Sequence, residues 1–271
     1  MRLLPTPCRP RRTYLRPARR GRLLVAVLAA CLALALGGEP APARADAPET
    51  PGNLDTPYTR LEPERVALLV VNDQNDFADP HGAEPAVDAV RVMPPVGEAV
   101  AMFRRAGRPI IHLVRLYLPD GHNADLGRRE ALKQGKLHLA EPGTWGSELY
   151  APLNPDGKAL DYQALLAGRV QSLGPQEFVI LKPRYDAFLG TPLVSFLGEL
   201  GVNSVVVVGL GAPDDVRATQ LGATDRDFRV GLVPTACNGV YPEALKAMRA
   251  EGVQLMNLDE LSRVLLGAKA K

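Results

Sequence analysis

The strongest constraint on this chain is a series of short apolar runs separated by amphipathic stretches. Val66–Val71 (VALLVV) is continuously apolar, as a strand buried on both faces must be. Pro109–Val114 (PIIHLV), Phe178–Leu181 and Ser204–Gly209 (SVVVVG) repeat the pattern, and Val230–Pro234 and Val253–Met256 supply shorter versions. Helical spacing lies between them, over Val87–Arg105, Pro192–Leu200, Asp214–Asp227, Glu243–Glu251 and Leu258–Leu266. Pro94-Pro95 are expected to mark the start of the first of these helices. Strands that alternate with helices imply right-handed crossovers, so the fold class predicted is α/β: one three-layer domain, 64–271, with a parallel sheet flanked by helices. Periodicity weakens over 115–176, which reads as a long insertion with a short helix around Leu126–Gln134, and 46–63 reads as a linker.

Charge is unevenly placed. Residues 1–45 hold nine Arg and one Glu, which leaves 32 − 9 = 23 basic and 30 − 1 = 29 acidic groups, or −6, on the other 226 residues. A body of that sign argues against a general nucleic-acid binder. The leader joins a basic segment to the apolar run Leu23–Leu36 and then to Ala43-Arg44-Ala45, a small-x-small cleavage pattern. This describes a secretory signal peptide over 1–45, and the run is shorter than the roughly 20 residues a spanning helix needs. An uncleaved N-terminal anchor is the alternative. Arg11-Arg12-Thr13-Tyr14-Leu15-Arg16 is similar to a twin-arginine export signal. Leu28-Ala29-Ala30-Cys31 is similar to a lipobox, although Cys31 sits inside the apolar run and not at its end. The expected destination is the periplasm or the exterior, with lipid attachment through Cys31 as the alternative. Cleavage after Ala45 removes Cys8 and Cys31, so Cys237 alone remains and no internal disulfide can form.

In sheets of this class the chemistry sits beyond the carboxyl ends of the strands. Those ends carry three motifs. Asn72-Asp73-Gln74-Asn75-Asp76-Phe77 resembles the D-x-Q-x-D-F segment of isochorismatase-like cysteine hydrolases. Lys182-Pro183-Arg184-Tyr185-Asp186-Ala187-Phe188 resembles that family's K-x-R-(F/Y)-S-A-F segment, and Gly209–Thr219 resembles its G-V-x-T-x-x-C-V-x-x-T nucleophile turn. Order and spacing agree over roughly 64–240. The resemblance implies a Rossmann-like α/β fold, a catalytic Asp, Lys and Cys, and an oxyanion held by backbone N–H groups.

Position by position, the Lys is kept as Lys182, the Asp position holds Asn72, and the Cys position holds Asp215. Gly211 and Asp215 stand where backbone oxyanion donors are expected. Asn72 cannot accept a proton at neutral pH, and a carboxylate is a poorer nucleophile than a thiolate. Asp73 could replace the base only through a local twist, because strand neighbours face opposite ways. Cys237 lies one strand away and reads as a small core residue. Asp214 is expected to cap the following helix, and Asp215 to pair with Lys182. Arg115, Trp145 and Tyr185 are candidate substrate contacts, with surface packing as the alternative. The metal site that the resemblance associates with nicotinamidases has no counterpart here: His112 lies within a strand, and His81, His122 and His138 lack ligand spacing. Gly209-Leu210-Gly211 lacks the third glycine of a dinucleotide turn, so no cofactor is expected.

Two readings follow. One is a hydrolase with altered chemistry, in which Asp215 activates a water while Lys182 and Asn72 bind the developing oxyanion of a small amide, urea or vinyl-ether molecule. The other is a catalytically inactive module that binds a small molecule or a protein. The resemblance also implies a homo-oligomer.

Overall fold

A computed structural model describes residues 56–266, all within one compact unit that spans 49–271. The leader, its cleavage pattern, Cys8 and Cys31 lie outside the described residues. Seven strands form one sheet: β1 (Val66–Val71), β2 (Ile110–Val114), β3 (Gln171–Gly174), β4 (Glu177–Leu181), β5 (Ser204–Gly209), β6 (Arg229–Cys237) and β7 (Gln254–Leu255). Their order is β3-β4-β2-β1-β5-β6-β7. All pairings are parallel except β3 with β4. The chain leaves β1 toward β2 on one side and returns to place β5 on the other, so a topological switch point falls at the carboxyl end of β1.

Three layers follow from the period-two alternation along β1. Leu68 and Val70 face α2 (Ala89–Ala106) and α8 (Leu258–Leu266), packing with Val92, Val96, Phe103, Leu261 and Leu265. Leu69 and Val71 face the opposite layer, α5 (Leu193–Glu199), α6 (Arg217–Thr224) and α7 (Pro242–Ala250), packing with Leu193, Leu197, Val216, Ala223 and Met248. Three short helices complete the set: α1 (Asn75–Ala78), α3 (Leu126–Lys133) and α4 (Tyr162–Leu166). Among the described residues, no helix is long and apolar enough to cross a membrane.

The structure corrects four expectations. Pro94 and Pro95 lie inside α2 and do not start it. The carbonyls they orphan belong to Val90 and Arg91, both exposed, where water can satisfy them. The insertion ends in a hairpin, because Pro175-Gln176 turns β3 back against β4 and makes the sheet's edge antiparallel. Leu61, assigned to the linker, is 4% exposed and belongs to the core, its N–H donating to Gln254 Oε1 at 3.0 Å. Asp214 makes no helix cap: the π-type turn Ala212–Val216 begins at Gly211 in the left-handed region, with no side-chain cap.

Candidate functional site

Parallel pairing brings the strand ends level. Asn72 N–H donates to Leu113 at 3.0 Å, Lys182 N–H to Val114 at 2.9 Å and Leu210 N–H to Val71 at 2.8 Å, all backbone carbonyls. Gly209 makes this approach possible. Its φ is +121°, and a Cβ there would lie 2.3 Å from the Val71 carbonyl oxygen, so any side chain would be excluded. Asn72, Arg115, Lys182 and the turn 211–215 therefore meet at one point.

Gln74 fixes the wall of this site. Its amide donates to the carbonyls of Arg115 at 2.8 Å and Ser147 at 2.7 Å, while its oxygen accepts from Arg115 N–H at 2.6 Å. One side chain thus joins the β1 end, the β2 end and the insertion. Asp76 accepts from the backbone N–H of Ala140 at 2.6 Å and Ala83 at 3.0 Å. Gly146 is required beside it, since a Cβ would fall 2.1 Å from the Asp76 carboxylate. The motif residues Gln74 and Asp76 thus act as structural clamps.

At the centre stands Asp215, 8% exposed. Lys182 Nζ donates to its Oδ1, and Arg115 Nη2 donates to the same oxygen at 2.7 Å. Arg115 reaches on to Asp125 Oδ2 at 2.8 Å, which also accepts from Tyr117 at 2.9 Å. The expected Asp215–Lys182 contact is present, and a second cation joins it. Arg115, a candidate for substrate contact or for packing, is buried and committed to two carboxylates. A guanidinium taken out of water needs acceptors, and these two provide them.

The electrostatics make this a quiet cluster. Burial would raise the Asp215 carboxyl, but Lys182 and then Arg115 outweigh it and hold the group below its ordinary value. Burial and the Arg115 charge pull Lys182 down, to about 7, against the attraction of Asp215. A carboxylate stabilised by two buried cations is a weak base and a weaker nucleophile.

Asn72 stands where the sequence resemblance expects a general base. Its φ is +55°, a left-handed geometry that Asn tolerates better than most residues. Its Nδ2 donates to the Leu210 carbonyl at 3.3 Å, and its buried Oδ1 has no partner among the described residues. The left-handed turn breaks the alternation of β1, which alone would point Asp73 to the layer of Val71 and Lys182, and carries Asp73 to His112 instead, at 2.5 Å. His112 is in register with Val70 and so faces the layer opposite Lys182. Asp73 therefore does not stand in for the lost base.

The remaining candidates are more peripheral. Tyr185 is half-exposed, with its ring centroid 5.3 Å from the Arg115 guanidinium carbon. Trp145 is exposed, and its carbonyl accepts from Asn75 Nδ2 at 2.7 Å. Gly211 N–H does not point to a substrate position, because it donates to Asn238 Oδ1 at 2.6 Å. Cys237 is buried, and burial pushes its thiol up to about 12, which keeps it from forming a thiolate near neutrality. Among the described residues, no group of three or more His, Cys, Asp or Glu could hold a metal ion. Sequence reasoning missed Asp125, Tyr117 and Asn238. Asn238 carried a readable signal, as the first polar residue past the β6 strand end.

Comparison with known proteins agrees with this architecture. The isochorismatase domain family model matches residues 163–260. A probable inactive nicotinamidase of Arabidopsis thaliana is 29% identical over 205 residues, 74% of this chain and 96% of that protein. A ureidoacrylate amidohydrolase of Methylobacterium radiotolerans is 26% identical, over 68% of this chain and 71% of its own length. Among solved structures, an isochorismatase family protein from Desulfovibrio vulgaris superposes with a TM-score of 0.63 at 29% identity, covering 74% of this chain and 98% of that one. The N-carbamoylsarcosine amidase of Thermoplasma acidophilum follows with a TM-score of 0.56 at 26% identity, covering 72% and 97%. With three motifs at three strand ends and a family match across the sheet's second half, this chain carries an isochorismatase domain and shares the α/β fold of isochorismatase-like hydrolases.

Proposed function

We propose that this chain is a non-hydrolysing member of its superfamily, an exported protein that binds a small polar molecule without cleaving it. The observation that carries this reading is Asp215 at the nucleophile position, with Lys182 and Arg115 both bonded to one of its oxygens. Asn72 at the base position and the engagement of Gly211 N–H by Asn238 add to it. Thiol-type acyl transfer needs a nucleophile, a base and an oxyanion pocket; here the first two are replaced and one expected oxyanion donor is occupied. The relative described as a probable inactive nicotinamidase is consistent with this reading. Export rests on the leader alone, and the homo-oligomer on family resemblance alone.

The test is a turnover screen of the purified protein on small amides, ureas and isochorismate-like vinyl ethers, with Lys182→Ala beside it. The proposal expects no turnover that depends on Lys182. Turnover that disappears in the variant would replace this reading with the second one, in which Asp215 acts as base on a water. That second reading has one specific support: both cations sit on Oδ1, and neither of their bonds reaches Oδ2. It expects Asp215→Asn to abolish whatever activity the screen finds.

A further inference from the structure

His112 lies in β2 with its ring fully buried, and both ring nitrogens meet carboxylate oxygens. Nδ1 is 2.5 Å from Asp73 Oδ2, and Nε2 is 2.9 Å from Glu177 Oε1. A neutral imidazole has one N–H and one bare lone pair, whereas an ionised carboxylate can only accept. A neutral ring would therefore press a lone pair against a carboxylate inside the core. Charge counting gives the same answer. Arg104 of α2 binds the far side of Glu177, at 2.6 and 2.9 Å, so the row Asp73, His112, Glu177, Arg104 is neutral only when His112 carries a proton. Around the ring, the β1 end supplies Asp73, β4 supplies Glu177, and α2 supplies Arg104 through Glu177; Asp156 acts on Arg104 from the insertion.

The row also reaches the candidate site. Asp73 adjoins Asn72, and strict strand alternation would not send Asp73 to the layer that His112 faces. The positive φ of Asn72 makes that possible, and the Asp73–His112 bond lies directly after the turn.

We propose that His112 is a buried imidazolium at neutral pH whose two N–H groups tie the β1 end to the start of β4 and thereby fix the left-handed turn that places Asn72 in the site. His112 is thus a positioning residue acting through Asp73, and this role holds whether or not the site cleaves anything.

The test is a nitrogen-15 and carbon-13 NMR titration of the full chain, with the exposed His81, His122 and His138 as controls in the same spectra. At pH 7.5 both ring nitrogens of His112 are expected to appear protonated, losing one proton only near pH 9. The Cα and Cβ shifts of Asn72 should report a left-handed backbone and move with that same titration. Glu177→Gln removes one carboxylate and keeps an acceptor, and it should lower the His112 midpoint by at least about one pH unit, a tenfold loss of proton affinity. A neutral His112 tautomer at pH 7.5 would overturn the imidazolium. Asn72 shifts that ignore the His112 titration would overturn the positioning role. The wild-type titration decides both points even where the variant fails to fold.

Discussion

Removal of the Asp215 carboxylate should expose how the site is held together. In Asp215→Ala, Arg115 keeps Asp125, but Lys182, fully buried, keeps only a 3.4 Å contact to the Arg184 carbonyl. Breaking a buried ion pair from one side costs about 3–5 kcal/mol, because the surviving ammonium must stay desolvated or give up its proton. For a domain of this size each kcal/mol is roughly 2–4 °C of melting temperature, so the variant should melt on the order of 6–20 °C lower. Lys182→Met is milder, about 1–3 kcal/mol, because Asp215 still holds Arg115. The double variant Lys182→Met/Asp215→Ala removes the stranded ammonium and should be more stable than Asp215→Ala alone. The sign with pH also follows. Lys182 already binds its proton more weakly folded than unfolded, at about 7, and the variant removes the carboxylate that holds it up, so the unfolded variant holds more protons from below 7 to about 10.5. The stability of Asp215→Ala should therefore rise with pH across that window. Denaturant titrations at pH 7 and pH 9.5 measure all of this. A loss below about 1 kcal/mol for Asp215→Ala, or a double variant equal to the sum of the singles, would refute the reasoning.

Other perturbations address single elements. Gly146→Ala places a methyl against the Asp76 carboxylate and should cost at least about 2 kcal/mol in thermal or denaturant unfolding. Gly127→Ala, inside α3 with open space around it, should instead stabilise by about 0.5–1 kcal/mol in the same assay. Cys237, with its thiol pushed up to about 12 by burial, should resist a thiol reagent at pH 8 until denaturant is added; rapid labelling of the native protein would contradict the buried placement. At the acid limit, burial opposes ionisation of Glu177, but His112 and Arg104 prevail and hold its carboxyl at about 2. Its contribution to stability should be present above the ordinary glutamate value of 4.5 and fall away as pH drops toward 2, a loss that Glu177→Gln should abolish in acid unfolding curves.

The layers were legible because β1, β2 and β5 are buried on both faces and announce themselves as apolar runs. The site residues were legible because strand ends are the place to look, and Asn72, Lys182 and Asp215 all lie there. Local signals failed where tertiary packing decided. Two consecutive prolines normally stop a helix, yet α2 buries enough apolar surface to retain them. His112 was readable as a core residue, but its two carboxylate partners come from Asp73, after β1, and Glu177, in β4. Only a left-handed Asn72 brings the first within reach. Arg115 reads as a candidate substrate contact, with packing as the alternative, because it lies beside a strand end, and Asp125, ten residues further on, has no pattern to mark it as the acceptor.

The two ends of the sheet differ from its middle in a way that bears on how the protein survives at high concentration. β3 has four residues and β7 only two, whereas the long apolar strands are all interior. The outer side of β3 is also covered, with Lys158 donating to the Leu173 carbonyl and Gln171 bonding both ways with Ala159 and Asp161. An exposed strand edge is a template for pairing with another chain. Here Pro175 and the loop 158–161 deny that template, and β7 is too brief to provide one. Among the described residues, the two outer strands therefore offer little free backbone for strand addition.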